Sequence, residues 1–530
     1  MRNLTARERA ATGGADWRKG YVPGAWALVL VLLACVPLIV PQVPPLTDLP
    51  AHMSRFMIQQ DAGRSADIAR WYHFRWNLIP NLGTDLLAFV LEPLLGLTLT
   101  MKAIAILIVA LQTAGYLLLS RAAHGRIAAS ALFALPLAYG YPFNYGFINF
   151  TLATALATLS LALWISPWMV ARPRLRWLLF CPIAGVVWIS HLAGWAVLCI
   201  VVGCCELVAR IEDGDRFWRA AVTGFVASSC LLVPQALSLL WPHTPDHLPT
   251  HGWFLLPQKM FFIANVLADR WAQFDSLSAL MLVILTVLAW RSPAVAVHKG
   301  LTLAAAVLLG VFWIMPGWVY GSYYADMRMV PTIFALALIA LRPVAGSRAL
   351  GWLVVLGLAF FGARLAGTTM SMALWDRQIR QETAVLDQLP RGSQLVTFNA
   401  MPCRPYLLQG RLRNVHIASY ALMRRHAFAN DQFAMSGGQL LSITNPAAAP
   451  FDRDPTMIEI GEPCAGLVQV FGKAPANAPV PLLQSVEQVP GTVPFLWIIW
   501  QDTRALPVPG WVPFARAGDH GQSMLYRRAP

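Results

Sequence analysis

The chain has 530 residues, of which 57% are hydrophobic and only 12% charged, and it carries a formal net charge of +14. Soluble domains carry about 25% charged residues, so this composition excludes an ordinary soluble protein and points to helices in lipid. The basic excess does not call for nucleic acid as a partner, because membrane proteins gather Lys and Arg in short cytoplasmic loops.

Residues 1–20 form a basic tail (Arg2, Arg7, Arg9, Arg18, Lys19), expected on the cytoplasmic side. The charge-free run 21–40 is long enough to cross a bilayer. It is also longer than a signal-peptide core and lacks a small-residue cleavage motif, which predicts an uncleaved anchor. A first outer loop follows over 41–98, with amphipathic helices such as 49–60 expected to lie on the membrane surface. Run 99–120 returns to Arg121 and Arg126. Residues 127–171 hold no charge and predict two spans joined by the turn 139–150, closed by Arg172, Arg174 and Arg176. The stretch 177–205 is long for one upright helix and short for two, and it reads as two helices turning near His191.

Further runs at 220–240, 277–290, 301–315, 330–341 and 350–366 bring the expected total to about eleven transmembrane helices in a bundle over 21–369. From 370 to 530 the apolar runs become short and β-like (394–398, 466–471, 495–500), preceded by a charged helix over 375–389. The predicted fold class is therefore a polytopic α-helical membrane protein with a small extracytoplasmic α/β domain at its C-terminal end. Six of the eight cysteines lie in apolar runs, while Cys403 and Cys464 stand alone in the hydrophilic part. A disulfide between those two is left open.

Chemistry concentrates where the first span ends, in Thr47-Asp48-Leu49-Pro50-Ala51-His52-Met53-Ser54-Arg55. A carboxylate, an imidazole and a guanidinium meet there beside lipid, which a mere connector does not require. The competing reading is that Thr47 or Asp48 only caps the following helix. An acid directly after the first span, then interface helices, many spans and a C-terminal α/β domain together resemble the GT-C superfamily of glycosyltransferases. That superfamily includes protein O-mannosyltransferases and the aminoarabinose transferases of lipid A. The chain departs from the pattern in lacking an adjacent acidic pair such as Asp-Glu or Asp-x-Asp, which leaves subfamily and metal dependence open.

The resemblance implies a polyprenyl-phosphate-linked sugar as donor and a glycan, lipid or protein as acceptor, in the bacterial cytoplasmic membrane with the C-terminal domain periplasmic. Inverting transfer needs one base for the acceptor proton, and Asp48 is the candidate. It needs positive charge at the leaving phosphate, and Arg55, Arg75, Lys102 and Arg328 are the candidates. Arg328 stands in Tyr323-Tyr324-Ala325-Asp326-Met327-Arg328, where pairing with Asp326 is the bland alternative. His52 is read either as orienting Asp48 or touching the sugar, or as an interfacial histidine, and Asp85 is a second carboxylate or a helix cap. Trp71-Tyr72-His73-Phe74-Arg75-Trp76 reads as an interfacial aromatic belt, with sugar stacking as its rival. The turn 141–149, with Asn144 and Asn149, is a further substrate contact to weigh.

His243, Asp246, His247 and His251 have zinc-ligand chemistry but a proline-broken spacing that matches no established site. No metal site is assigned, and a divalent cation stays open as a cofactor. The rival function classes are a transporter, disfavoured because the spans hold few ionisable groups, and a non-catalytic subunit for envelope polysaccharide assembly. An enzyme that ligates whole glycans would share the architecture.

Overall fold

The computed structural model describes residues 19–241, 250–320, 322, 324–344, 349–401, 413–434, 438–448, 451, 458–460, 482–500, 505–518 and 521–530. Cys403, Cys464, His243, Asp246, His247 and the run 466–471 lie outside the described residues.

The first helix, α1 (Trp26–Ile39), buries Leu30, Ala34, Cys35 and Leu38 and turns Leu28, Val29, Leu32 and Leu33 outward. An outward face this apolar belongs in hydrocarbon rather than water. After the outer-loop helices α2 (Leu49–Asp61) and α3 (Gly83–Leu95) come α4 (Leu97–His124), α5 (Ile148–Trp164), α6 (Pro173–Ser190) and α7 (Leu192–Glu212). They are followed by α8 (Phe217–Ser228), α9 (Leu256–Ala264), α10 (Ala272–Arg291), α11 (Lys299–Ile314), α12 (Val330–Ile339) and α13 (Ala349–Glu382). Among the described residues, five helical stretches are long and apolar enough to span a bilayer: Leu97–His124, Leu192–Glu212, Phe217–Ser238, Ala272–Arg291 and Gly351–Gln388. Shorter apolar helices stand beside them at Trp26–Ile39, Ile148–Trp164, Lys299–Ile314 and Met327–Ile339. The chain is a multi-pass helical membrane protein with a C-terminal sheet domain.

Two stretches differ from the expected spans for local reasons. Over 127–171 only α5 is a long helix. The run before it breaks into Ser130–Ala134, a 3-10 turn at Leu135–Tyr139 and a single turn at Tyr141–Tyr145. Pro136, Gly140 and Pro142 interrupt what hydropathy alone reads as a span. Conversely, the expected span 350–366 and the expected helix 375–389 fuse into the 34-residue α13 and the 3-10 turn Thr383–Gln388 that follows it. The pair α6 and α7 does turn at His191, whose extended backbone (φ −169°, ψ 130°) interrupts the helix.

Ionisable groups within the helices are more numerous than expected, and those described here are paired. Asp275 of α10 meets Arg364 of α13 at 2.6 Å, and Glu206 of α7 meets Arg176 at 3.0 Å and Arg210 at 3.2 Å. Paired charges satisfy one another in a poor solvent for ions.

The C-terminal sheet consists of β1 (Leu395–Met401), β2 (Ile458–Ile460), β3 (Phe495–Trp500), β4 (Trp511–Ala517) and β5 (Ser523–Arg528), in the order β4-β5-β3-β1-β2. β1 runs parallel to β2 and β3, while β5 is antiparallel to β3 and β4. The central β3, Phe-Leu-Trp-Ile-Ile-Trp, is buried on both faces, as a continuous apolar strand demands. One face packs Trp497 and Ile499 against Ile379, Leu386 and Tyr420. The other packs Leu496, Ile498 and Trp500 in a core that includes Trp71 and Tyr72 of the first outer loop.

That core changes the reading of the loop. Tyr72–Phe74 pairs antiparallel with Leu441–Ile443, and the Tyr72 hydroxyl donates to the Ala429 carbonyl at 3.1 Å. Trp71 and Tyr72 therefore serve the contact between loop and domain rather than a belt at the lipid surface. Likewise α2 is not a surface helix: most of its residues are buried. Gln432 and Gln439 cover it, through Ser54 Oγ to Gln432 at 2.9 Å and Arg55 to Gln439 at 2.6 Å.

Within the bundle, α7 crosses α5 at Gly194, where a Cβ would fall 2.4 Å from Ala153 Cβ. Small residues at such crossings let backbones approach in lipid. Gly194→Leu is expected to force α5 and α7 apart at a cost of about 1–3 kcal/mol. The readout is the midpoint of thermal unfolding of the detergent-solubilised protein, and an unchanged midpoint contradicts the close crossing.

Candidate active site

The position of Asp48 follows from backbone chemistry. Beyond α1, Pro44-Pro45 turns the chain, and two backbone bonds then strap it to the turn Tyr141–Tyr145. Thr47 N donates to the Asn144 carbonyl at 3.3 Å and Asp48 N to the Tyr145 carbonyl at 2.8 Å. Gly146 makes this fit possible: its φ is +97°, and a Cβ there would lie 2.7 Å from Asp48 N. Asp48 occupies the N-cap position of α2, yet its side chain makes no capping hydrogen bond. The carboxyl is buried at 6% exposure and faces His416, whose Nε2 stands 3.6 Å from Oδ1.

Burial pushes the Asp48 carboxyl well above the usual carboxylate range, and the Arg328 guanidinium works in the opposite direction. Arg328 is itself buried, donating from Nη2 to Ser322 Oγ at 2.9 Å and from Nη1 to His191 at 3.2 Å. Its guanidinium lies over the Phe147 ring, 4.1 Å from the centroid. Asp326, the neighbour expected as a rival partner, is committed elsewhere: it pairs with Lys259 at 2.8 Å. The Lys259 ammonium spends its other donors on the carbonyls of Phe312 (2.7 Å) and Met315 (2.8 Å).

His52, Arg55 and Asp85 form a second, connected group. Arg55 pairs with Asp85 at 3.0 Å, both essentially excluded from water, and its Nη2 lies 3.3 Å from His52 Nδ1. Arginine can only donate, so Nδ1 accepts. The other ring nitrogen bonds the Gly146 backbone, and burial first, then the Arg55 charge, drives the imidazole well below its ordinary pKa. His52 is thus a neutral bridge between Arg55 and the glycine that seats Asp48. Asn149 completes the group, donating to the Asn81 carbonyl at 2.8 Å and reaching Asp85 at 3.3 Å.

The structure therefore gathers Asp48, His52, Arg55, Asp85 and Arg328 at one junction, with Asn144 and Asn149 as struts. Lys102 and Arg75 stand apart from it. The Lys102 ammonium donates to the Ile39 (2.7 Å) and Pro41 (2.9 Å) carbonyls and so caps the end of α1. Arg75 is exposed beyond the short strand Tyr72–Phe74. His251 stacks on Trp318 at 4.7 Å between centroids. Among the described residues, no group of three or more His, Cys, Asp or Glu is arranged to hold a metal.

Sequence reasoning missed the contribution of the C-terminal domain. Arg413 pairs with Asp269 at 2.5 Å, reaches Asn144 at 3.4 Å and donates to the Pro45 carbonyl. His416 and Phe433 close over Asp48 and His52, the rings of His52 and Phe433 lying 5.6 Å apart. Nothing in the local sequence around 413–433 signals such long-range partners. A cavity of about 270 Å³ opens beside α2, between Gln42, Leu97, Asp376, Arg380, Tyr420 and Arg424, and Asp48 does not line it.

Among solved structures, the chain is similar to the crystal structure of ArnT from Cupriavidus metallidurans in the apo state, at 14% sequence identity and a TM-score of 0.42, over 95% of this chain and 98% of that one. No family model and no curated protein matches the chain. A likeness at this level assigns no activity, which has to be argued from the residues themselves.

Two predictions follow from the pairing and burial. Arg55→Met leaves Asp85 as an uncompensated buried charge and is expected to cost about 3–5 kcal/mol. Adding Asp85→Leu should recover most of that loss in thermal unfolding, and an unaltered midpoint for the single variant contradicts the pair. The second concerns Asp431, which accepts from Ser419 N at 2.7 Å and from Ser419 Oγ at 3.0 Å. Burial raises its pKa from 3.8 to about 7. The folded state then holds a proton that the unfolded chain has lost, so its contribution to stability falls as pH rises from about 4 to about 7. Asp431→Asn is expected to flatten the decline of the unfolding midpoint between pH 5 and 8.

Proposed function

We propose that this chain is a membrane glycosyltransferase of GT-C type that moves a sugar from a polyprenyl-phosphate-linked donor to a glycan, lipid or protein acceptor, with inversion at the anomeric carbon. The observation that carries the reading is that Asp48 and Arg328 are both buried at the junction beyond the first apolar helix, where the charge of Arg328 opposes the effect of burial on the carboxyl. In this reading the junction lies at the outer face of the bacterial cytoplasmic membrane, the N-terminal tail lies inside and the sheet domain is periplasmic.

The roles follow from charge. Asp48 removes the proton of the acceptor hydroxyl as that oxygen attacks the anomeric carbon, and its raised pKa makes it a stronger base once ionised. The bond to the lipid phosphate breaks with its electron pair, leaving a dianion that is a weak base and needs no strong general acid. Arg328 stabilises that growing charge from a water-poor site, where a fixed cation counts for more than in solvent. The Phe147 face keeps the guanidinium plane in place. Arg55, neutralised by Asp85, supports the scaffold that seats Asp48 and adds no net charge to the phosphate site.

The test compares lipid-linked and surface glycans of a deletion strain complemented with the parent chain or with Asp48→Asn. The variant is expected to express normally and to lose transfer by about a hundredfold or more. Transfer at the parent level by Asp48→Asn refutes the proposed base.

A further inference from the structure

The C-terminal domain does more at Asp48 than cover it. His416 Nδ1 lies 2.7 Å from the Asp431 carbonyl oxygen, and a carbonyl can only accept. Nδ1 therefore carries the hydrogen, and in the neutral ring the lone pair sits on Nε2. That is the nitrogen 3.6 Å from Asp48 Oδ1, just beyond hydrogen-bond range. The ring is held from the side by Phe433, 4.5 Å between centroids. The Asp431 backbone is fixed in turn by its carboxylate, which bonds Ser419 and Gln432. His52 meets different partners, one nitrogen turned to Arg55 and the other to Gly146.

The geometry points to His416 as a positioning residue for the proposed base: its Nε2 accepts the hydrogen bond of Asp48 in its protonated form and so strengthens Asp48 as a proton acceptor. The inference rests on the reading of Asp48 as the base. The proton balance is simple. The acceptor proton moves to Asp48 Oδ1 while the new glycosidic bond forms and the phosphate departs with its electron pair. The new carboxylic acid then donates to His416 Nε2, which keeps its hydrogen on Nδ1 throughout. Until protonation, a lone pair faces a carboxylate and the two repel, so the same contact disfavours the ionised acid. Among the described residues, the charged and titratable groups facing this pair include Arg328 from the turn before α12, His52 from α2 and Asp431 beside His416. Burial of both partners acts in the same sense, raising Asp48 and lowering His416 to about 4.

The test uses the full chain in lipid nanodiscs and needs no substrate. Infrared difference spectra across pH follow the carbonyl stretch of the protonated Asp48 carboxyl, identified by its loss in Asp48→Asn. His416→Asn and His416→Leu each remove the acceptor at the Nε2 position and are expected to lower the midpoint of that band by about one pH unit. In cells, the same variants should lower glycan transfer and shift the acid limb of its pH profile down by a similar amount, which a merely structural role would not do. An unmoved midpoint in both variants overturns the inference. For the unaltered protein, nitrogen NMR of labelled histidines should find His416 in the Nδ1–H form at neutral pH, and the Nε2–H form overturns it without any variant. If Asp48→Asn keeps full transfer, the base reading itself falls. If that variant is inactive while the His416 variants keep the parent's midpoint, only the present inference falls.

Discussion

A carboxyl group withdrawn from water at the end of the first apolar helix is the constraint around which this molecule is organised. Desolvation disfavours its ionised form, and a buried charge without compensation is costly. The surroundings fix the group in place, and one of them, Arg328, offsets part of that cost. The backbone of Thr47 and Asp48 is hydrogen-bonded to the turn 141–147, which fixes where the side chain starts. Arg328 supplies opposite charge, and it can do so because Asp326 is committed to Lys259. The C-terminal domain then closes the space with His416 and Phe433.

The sheet domain and the helical bundle are consequently one machine in physical terms. The aromatic core behind β3 includes Trp71 and Tyr72, so part of the domain's interior is contributed by the first outer loop. Arg413 reaches the Pro45 carbonyl, Asn144 and Asp269, three points on the bundle side of the junction. Such a buried, multiply bonded guanidinium is expensive to undo, since each freed acceptor stays out of water. The seat of Asp48 is thus a property of the assembled chain and not of the loop alone.

Much of this was readable from the residues in order, and the limits were physical. Asp48 stood out because a carboxylate, an imidazole and a guanidinium stand together just past the first apolar run. The turn at His191 was legible because 177–205 has the wrong length for a single crossing. The stretch 127–171 misled because hydropathy counts apolar residues, while Pro136, Gly140 and Pro142 decide whether they can be helical. Arg55 was visible as a cation, but its partner is 30 positions away and only folding reveals that the charge is already cancelled. Lys102 looked like a phosphate ligand because a capping lysine and a binding lysine have the same sequence signature. His416 lies in a domain with no motif, and its relation to Asp48 arises entirely from tertiary contact.

The fusion of the expected last span with the expected charged helix has a mechanical consequence. A 34-residue helix is about 51 Å long, against roughly 30 Å of hydrocarbon. Roughly two fifths of α13 therefore exceeds that thickness, with Arg364 tying the helix to the bundle through Asp275 and Ile379 packing against the sheet. A single stiff helix thus ties the bundle to the sheet domain, so covalent structure as well as side-chain contact fixes the spacing between them.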